Sequence, residues 1–407
     1  MQVKYIEGGV TAAKGFSAAG LHCGIRKNRT KKDLALILSA TEADGAAVYT
    51  QNKVKGAPLL VTKQHLEQGT VRAVVCNSGI ANTCAADGVE KAQAMCRLAA
   101  EQLGIDENKV LVASTGVIGP SIDLEPIQKA MPDLCAALSE DGSSEAAQAI
   151  MTTDTKEKSC AVEFTIGGKT CRMGGIAKGS GMIHPNMATM LCFITTDAAV
   201  EPAVLQTALR AAVADTFNML SVDGDTSTND MVTVLANGAS GAPRIAQAQG
   251  EDYEAFFAAL QAVCTDIVRK LAADGEGAGR LIEAHISGGA TVKDARAIAL
   301  SVIQSSLLKA AMFGADANWG RVLCAIGYAD AQVDIAGVDV DFRSAAGTVA
   351  VCRSGAGIPF DEDIAKKVLS ETEIHIDVTL HDGEAAATAY GCDLTYEYVR
   401  INGDYRS

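Results

Sequence analysis

Aromatic residues and positive charges are scarce in this chain of 407 residues. Phe, Trp and Tyr make up only 4% of it, and 35 Lys and Arg stand against 49 Asp and Glu, for a formal net charge of −14. A surface that binds nucleic acid or an anionic membrane needs clustered Lys and Arg to neutralise phosphates. The composition therefore argues against either as the main partner.

Long apolar runs and paired cysteines are also absent from the sequence. The first ten residues, MQVKYIEGGV, hold no apolar run typical of a secretory signal, and no later stretch holds about eighteen apolar residues without a charge. The 12 cysteines are scattered singly, with no CxxC and no zinc-finger spacing. We therefore expect a cytoplasmic, soluble protein with buried thiols.

The residues that are abundant favour a tightly packed α/β protein. Apolar residues make up 48% of the chain, charged residues 21%, and there are 39 glycines. A chain of this length is near the size limit of a single core, so we expect two intimately associated lobes.

Hydrophobic periodicity predicts mixed helices and strands. Apolar runs at 71–79 and 109–119 end in small, glycine-containing residues, which is typical of buried strands whose free N–H groups face a ligand. A Gly167-Gly168 hairpin and a strand beginning near Thr189 follow. Helices are predicted at 89–103, 124–139, 144–151, 201–218, 254–274 and 292–312.

The last eighty residues or so carry a strong strand pattern. Strands are predicted within 348–355, 373–383 and 385–402, the last two joined by a hairpin at Asp382-Gly383. Because hairpins outnumber βαβ units, the pattern favours an α+β or mixed α/β fold, a layered sandwich with helices packed on β-sheets. It does not support a Rossmann fold.

Thr189 stands in the most unusual segment of the chain, KGSGMIHPNMATML at 178–191. A threonine hydroxyl needs a base to act as a nucleophile, and its own free α-amine can serve once the Ala188-Thr189 bond is broken. Gly179 and Gly181 permit unusual backbone geometry, and Pro185 stiffens the approach to that bond. Taken alone, an Ala-Thr pair is more often structural.

The segment resembles the autoprocessing motif of the ornithine acetyltransferase family, which cleaves before the threonine of Ala-Thr-Met-Leu. The resemblance runs through nearly the whole chain. The matching stretches are VTAAKGF at 10–16, NSG at 77–79, STGVIG at 114–119, TTDT at 152–155, SVDGDTSTND at 221–230, NWGR at 318–321 and YVRINGDYRS at 398–407.

The resemblance implies a role for individual residues. Self-cleavage would give an α chain of residues 1–188 and a β chain of residues 189–407 that begins with the nucleophile Thr189. Thr115 and Gly116 would form an oxyanion hole. The implied substrate-binding residues are Thr153, Lys178, Thr189, Glu276, Asn402 and Ser407.

The implied activity is a ping-pong transfer of acetyl from N-acetylornithine to glutamate, which yields ornithine and N-acetylglutamate as part of arginine biosynthesis. Acetyl-CoA would be a further donor if the enzyme is bifunctional. The resemblance also implies an α2β2 heterotetramer, with no bound cofactor or metal. Departures from the family pattern include Gly279-Arg280 beside Glu276, which bears on substrate geometry.

Two other functions stay open at this point. An N-terminal-nucleophile amidohydrolase or aminopeptidase would use Thr189 but pass the acyl group to water. An unprocessed metabolite-binding protein would keep the pocket without the chemistry. The acidic segment 223–230 does not match a calcium loop and predicts a hydrogen-bonded turn near the active site, and the glycine-rich 275–280 does not match a phosphate loop.

Overall fold

The computed structural model describes residues 3–184 and 190–404. Within them, α-helices and strands alternate along the chain. The helices are α1 (Ala57–Glu67), α2 (Gly88–Leu103), α3 (Leu124–Ala136), α4 (Ser143–Ile150), α5 (Pro202–Asp215), α6 (Glu251–Ala273), α7 (Val292–Gln304), α8 (Ser306–Phe313), α9 (Trp319–Gly327), α10 (Glu362–Leu369) and α11 (Tyr396–Asp404). The strands are β1 (Lys4–Ile6), β2 (Phe16–Leu21), β3 (Leu34–Tyr49), β4 (Val71–Ile80), β5 (Val110–Val117), β6 (Lys158–Ile166), β7 (Lys169–Lys178), β8 (Leu191–Thr196), β9 (Leu220–Ser221), β10 (Met231–Ala236), β11 (Leu281–Gly289), β12 (Asp339–Ser344), β13 (Gly347–Arg353), β14 (Ala356–Gly357), β15 (Glu373–Thr379) and β16 (Ala385–Cys392).

The larger sheet has nine described strands in the order β1-β6-β7-β8-β10-β3-β4-β5, with β2 also paired to β3. Strands β4 and β5 run parallel, as do β8 and β10. Helices α1 and α2 pack on β5, and α4 packs on β2 and β3. Residues Val110 to Thr115 of β5 are buried at every position. Both faces of the strand are therefore covered, which explains why Val110 to Ala113 form a continuous apolar run rather than an alternating pattern.

The smaller sheet has seven described strands in the order β14-β13-β12-β15-β11-β16-β9. Helix α7 packs on β11 and β16, while α6 contacts β6 and β7 of one sheet and β11 and β16 of the other. The buried side chains of α6 recur at three- and four-residue spacing, as an amphipathic helix requires, and include Phe256, Leu260, Val263, Ile267 and Leu271.

One hydrophobic core joins residues of both sheets through α6. The predicted layered α/β fold with two intimately associated lobes is therefore confirmed. The strands expected at 71–79 and 109–119 are β4 and β5, and the Gly167-Gly168 hairpin joins β6 to β7.

The Asp382-Gly383 hairpin prediction is wrong. Strand β11 lies between β15 and β16, and it runs parallel to the first and antiparallel to the second. The connection crosses the end of β11, where the Asp382 N–H donates to the carbonyl of Gly288 at 2.8 Å. A turn motif specifies a reversal of the chain, but not whether a third strand enters the gap.

The strand expected through residue 402 is also wrong beyond Cys392, because residues 396–404 form helix α11. The Thr395 hydroxyl accepts the N–H of Glu397 at 3.2 Å and donates to the carbonyl of Gly277 at 2.7 Å. Likewise, the helix predicted at 292–312 is two helices, because Ser305 interrupts it and caps α8.

No single helix in the described part of the chain is long and apolar enough to cross a membrane. Helices α7 and α8 meet that test only as a pair, and they are bent by 56° at their junction.

The predicted cleavage point, Ala188-Thr189, lies outside the described residues. Lys178 of β7 pairs with Leu191 of β8 on either side of it. Strands from both predicted fragments therefore share one sheet. The division into chains of residues 1–188 and 189–407 stays a prediction.

Candidate active site

Six of the predicted site residues line one cavity of about 300 Å³. They come from the end of β5, the segment after α4, the end of β7, the segment after α6, and α11. The six are Thr115, Gly116, Thr153, Lys178, Glu276 and Asn402. The remaining predicted residues, Ala188, Thr189 and Ser407, lie outside the described part of the chain.

Gly116 stands where β5 lies against β4, directly opposite Gly79. Its φ is 129°, and a Cβ atom there would lie 2.2 Å from the Gly79 carbonyl carbon. Glycine is the residue that tolerates both this φ and this close approach. The spacing of the two strand ends therefore depends on the absence of a side chain at position 116.

Thr115 is 8% exposed, and its hydroxyl accepts a hydrogen bond from Lys178 Nζ at 3.2 Å. A lysine ammonium has donors only, so the Thr115 hydrogen stays available for another acceptor. A hydroxyl that is held by a cation and aimed at a cavity can donate to a negatively charged oxygen.

Asn229 joins the two strand ends to the predicted acidic turn. Its Nδ2 donates to the carbonyls of Ala81 at 2.6 Å and Ser114 at 3.0 Å, and its Oδ1 accepts from the hydroxyls of Thr83 and Thr228 at 2.6 Å each. Ser227, Thr228 and Asn229 all line the cavity, as the prediction of a hydrogen-bonded turn near the site requires. A buried amide with every hydrogen-bonding group satisfied holds the position of Thr115 rigidly.

Lys178 is 4% exposed and lies among other charged groups. Burial is the largest cause of a lowered pKa of its ammonium, and the nearby charges of Lys158 and Arg26 lower it further. The carboxylates of Asp154 and Asp230 act in the opposite direction and raise it, but they do not outweigh burial. A lysine with a lowered pKa is closer to releasing its proton near neutral pH than an exposed one. This perturbation singles out Lys178 as a candidate functional group.

A buried ion network lies directly behind Lys178. Lys158 Nζ bonds Asp154 Oδ1 at 2.7 Å and Asp274 Oδ2 at 2.6 Å, with only 1% of Lys158 exposed. Burial alone would raise the pKa of the Asp154 carboxyl, but Lys178 and Lys158 hold it well below its usual range. Asp154 Oδ1 also accepts the N–H of Gly179 at 2.6 Å, so the network positions the chain that leaves β7.

Glu276 and Asn402 form the polar side of the cavity nearest the C-terminus. Asn402 Nδ2 donates to Glu276 Oε2 at 2.7 Å and to the carbonyl of Tyr398 at 3.0 Å. A Cβ atom on Gly181 would lie 2.4 Å from the Glu276 carboxyl carbon, so glycine gives that carboxylate its room. Asn402 reaches the cavity because α11 folds back over the segment that follows α6.

The described chain resumes at Met190, the residue that follows Thr189. The Met190 carbonyl accepts the N–H of Met231 at 3.1 Å, at the entry to the parallel pair β8–β10. Asp230 precedes Met231 and is 1% exposed. Burial raises the pKa of its carboxyl well above the usual value, although the positive charge of Lys178 acts to lower that pKa.

Sequence reasoning missed Lys158, Asp274 and Asp230. Lys158 and Asp274 are 116 positions apart, so no local pattern connects them. Asp154 stands in TTDT and Asp230 ends SVDGDTSTND, two of the stretches that carry the family resemblance, but nothing in either stretch shows that the carboxylates are buried.

A larger cavity of about 870 Å³ lies where β3, α1 and α5 meet. None of the six described site residues lines it. The chemistry of the smaller cavity, rather than size, identifies it as the candidate active site.

A family model and known proteins match this chain, and two relatives match it from end to end. A sequence model of the ArgJ family matches residues 17–407. The arginine biosynthesis bifunctional protein ArgJ of Symbiobacterium thermophilum is 51% identical over 407 residues, the whole of both chains. That of Bacillus subtilis is 45% identical over 408 residues, covering 100% of this chain and 98% of its own. A solved ornithine acetyltransferase from Mycobacterium tuberculosis, complexed with ornithine, is 34% identical, covers 45% of this chain and 98% of its own, and has a TM-score of 0.42.

Proposed function

This chain belongs to the ArgJ family, and from that premise we propose that it transfers the acetyl group of N-acetylornithine to glutamate in arginine biosynthesis. The observation that carries the proposal is the convergence of six residues from five separate segments on one cavity of about 300 Å³. Hydroxyl, ammonium, carboxylate and amide groups meet there, and an acylated amino acid needs all of these partners.

Thr189 is the proposed nucleophile, and it gains its base by self-cleavage after Ala188. Its free α-amine takes the proton of its hydroxyl, and the hydroxyl oxygen attacks the acetyl carbonyl of N-acetylornithine. The carbonyl double bond opens into an oxyanion. When it re-forms, the bond to the ornithine nitrogen breaks, and the ammonium returns the proton to this leaving amine. An acetyl ester on Thr189 remains.

Thr115 and Gly116 stabilise the oxyanion in this scheme. The Thr115 hydroxyl donates to it, because Lys178 already occupies its oxygen at 3.2 Å, and the Gly116 N–H is the second donor. The positive charge of Lys178 lies behind the hydroxyl and strengthens its donation. The second half-reaction uses the same groups with glutamate as the acceptor.

Substrate recognition divides between the two sides of the cavity. The Glu276 carboxylate, oriented by Asn402 at 2.7 Å, binds the positively charged amine of ornithine. Thr153 and Lys178 offer donors to an α-carboxylate, and the Thr153 hydroxyl is held by Ser180 at 2.6 Å. Ser407, at the end of the chain, completes the proposed set.

Four further properties form part of the proposal. The word bifunctional in the relatives' names supports acetyl-CoA as a second donor, from which N-acetylglutamate is made directly. We propose no bound cofactor. The enzyme assembles as an α2β2 heterotetramer and works in the cytoplasm.

The test is an acetyl-transfer assay with three arms. We expect ornithine to be released from N-acetylornithine in step with N-acetylglutamate formation when glutamate is present, and N-acetylglutamate to form from acetyl-CoA in the second arm. The third arm omits glutamate. Stoichiometric release of acetate there, without transfer in the first arm, would identify an amidohydrolase, and binding of ornithine without any product would identify a metabolite-binding protein.

Replacing Thr115 by valine should lower kcat by about 10²–10³-fold with little change in KM, because loss of an oxyanion donor acts mainly on the transition state. Steady-state kinetics with N-acetylornithine and glutamate measure this. The matched control is Thr233→Val, a buried threonine on β10 that does not line the cavity. Equal losses in both variants, or an unchanged kcat in Thr115→Val, would contradict the proposed oxyanion role.

A further inference from the structure

A cluster of two histidines and a glutamate lies on the smaller sheet, on residues that do not line the candidate active site. The parallel register of β11 and β15 sets Glu283 directly opposite His375, and His285 follows two residues along β11. His285 Nε2 lies 2.9 Å from His375 Nδ1 and 3.2 Å from Glu283 Oε2, and His375 Nδ1 lies 3.5 Å from the same oxygen. Three potential ligand atoms thus converge on one point.

The far side of each of the three groups has its own partner. His285 Nδ1 lies 3.1 Å from the Thr388 hydroxyl on β16, and His375 Nε2 lies 3.2 Å from Glu373 Oε1. Glu283 Oε1 accepts from Arg269 Nε at 2.5 Å, so Oε2 is the oxygen that faces the histidines. Imidazoles that bind metals usually have such an outer partner for the second ring nitrogen.

These outer contacts bear on which ring nitrogens carry a hydrogen. If His375 donates its Nε2 hydrogen to Glu373, and His285 donates its Nδ1 hydrogen to Thr388, then both inner nitrogens present lone pairs. With Glu283 Oε2 they form three acceptors that repel one another without a cation between them. The outer partners thus allow the tautomers that a metal requires.

We propose that Glu283, His285 and His375 bind one divalent transition-metal ion of the Zn²⁺ type. Two imidazoles and one carboxylate are a known ligand set for zinc with an open fourth position. Bonds of about 2.0–2.2 Å in tetrahedral geometry place ligand atoms roughly 3.3–3.6 Å apart. Of the three separations, 3.5 Å lies within that range, and 3.2 and 2.9 Å lie below it by no more than about 0.7 Å, a difference that small rotations of the side chains would make up.

The fourth position has access to solvent. His285 and Thr388 line a surface cavity of about 850 Å³, and the side chain of His285 is 31% exposed while that of Glu283 is 7% exposed. The ion links β11 to β15, two strands far apart in sequence. Because the site exists only in the folded state, binding of the ion there stabilises the smaller sheet against unfolding.

The test uses the tag-free full chain stripped with a chelator. Because Cys84 and Cys324 are exposed and would bind metal on their own, both are first replaced by serine. We expect Co²⁺ to bind at one ion per chain with the strong visible absorption of a four- or five-coordinate nitrogen and oxygen site, and without a thiolate charge-transfer band. Zn²⁺ should displace it and raise Tm.

His285→Gln and His375→Asn should each weaken Co²⁺ binding by more than about 100-fold, beyond the 10–100-fold typical for the loss of an outer partner. The matched control is His381→Asn, an exposed histidine that pairs with Asp339 instead. Circular dichroism checks that each variant is folded. The proposal is overturned if the parent protein binds no Co²⁺, gives only a six-coordinate or thiolate spectrum, or binds it equally well in the folded ligand variants.

Discussion

Thr189→Ala should abolish acetyl transfer and leave a single uncut chain of 42.1 kDa. The substitution removes the single hydroxyl that attacks the Ala188 carbonyl during cleavage and the acetyl carbonyl during transfer. Loss of the hydroxyl nucleophile costs about 10⁶-fold in kcat in a serine protease, and because nucleophile and base act as a unit, the missing free amine should not add a separate factor. Intact mass, N-terminal sequencing and the transfer assay measure both effects on the same preparation.

The controls separate chemistry from folding. Thr189→Ser keeps a hydroxyl and should still cleave, giving a second fragment that begins with serine in place of threonine. In the wild type that fragment begins Thr-Met-Leu-Cys. A wild-type chain that stays intact would remove the proposed base and leave the metabolite-binding function as the better account. Full transfer activity in Thr189→Ala would refute the nucleophile.

Lys158→Met should lower the free energy of unfolding at pH 7 by about 3–5 kcal/mol. The substitution keeps the length of the side chain but leaves the carboxylates of Asp154 and Asp274 buried without the cation that bonds both at 2.6–2.7 Å. Equilibrium denaturation in guanidinium, in the Thr189→Ala background so that both halves stay in one chain, measures the change. Since Asp154 positions Gly179, the transfer rate should fall as well when Lys158→Met is made in the chain that keeps Thr189.

The matched control for this network is Lys129→Met. Lys129 pairs with Glu125 on the exposed surface of α3, and exposed pairs contribute little. Its stability should therefore stay close to that of the parent. A loss in Lys158→Met no larger than in Lys129→Met would show that the buried network does not stabilise the fold.

The same network makes a prediction about pH. The pKa of Asp154 is held below its usual value in the folded protein, so its contribution is present above the unfolded pKa of about 3.9 and is lost as the pH falls further. The stability difference between the parent and Lys158→Met should accordingly shrink below about pH 4. An undiminished difference there would contradict the ionised state of Asp154.

Local sequence patterns predicted helices, strands and turns correctly where neighbouring residues in the sequence were enough to specify the element. The apolar runs of β4 and β5 and the Gly167-Gly168 turn each depend on neighbours in sequence. The errors fall where distant contacts override that pattern. Strand β11 enters between β15 and β16, and the alternating tyrosines of α11 form a helix once Thr395 caps it against Gly277.

The candidate active site and the proposed metal site also divide into features that the sequence specified and features that depend on distant contacts. The sequence alone determined that glycines stand at positions 79 and 116, where the two strands can then approach closely. It also carries the family resemblance that selected Thr115, Lys178 and Glu276 as site residues. Only the tertiary structure decided that Lys158 is buried between two carboxylates and that Glu283 meets His285 and His375. Burial and cross-strand register depend on contacts between residues about a hundred positions apart, and no local pattern of side chains contains that information.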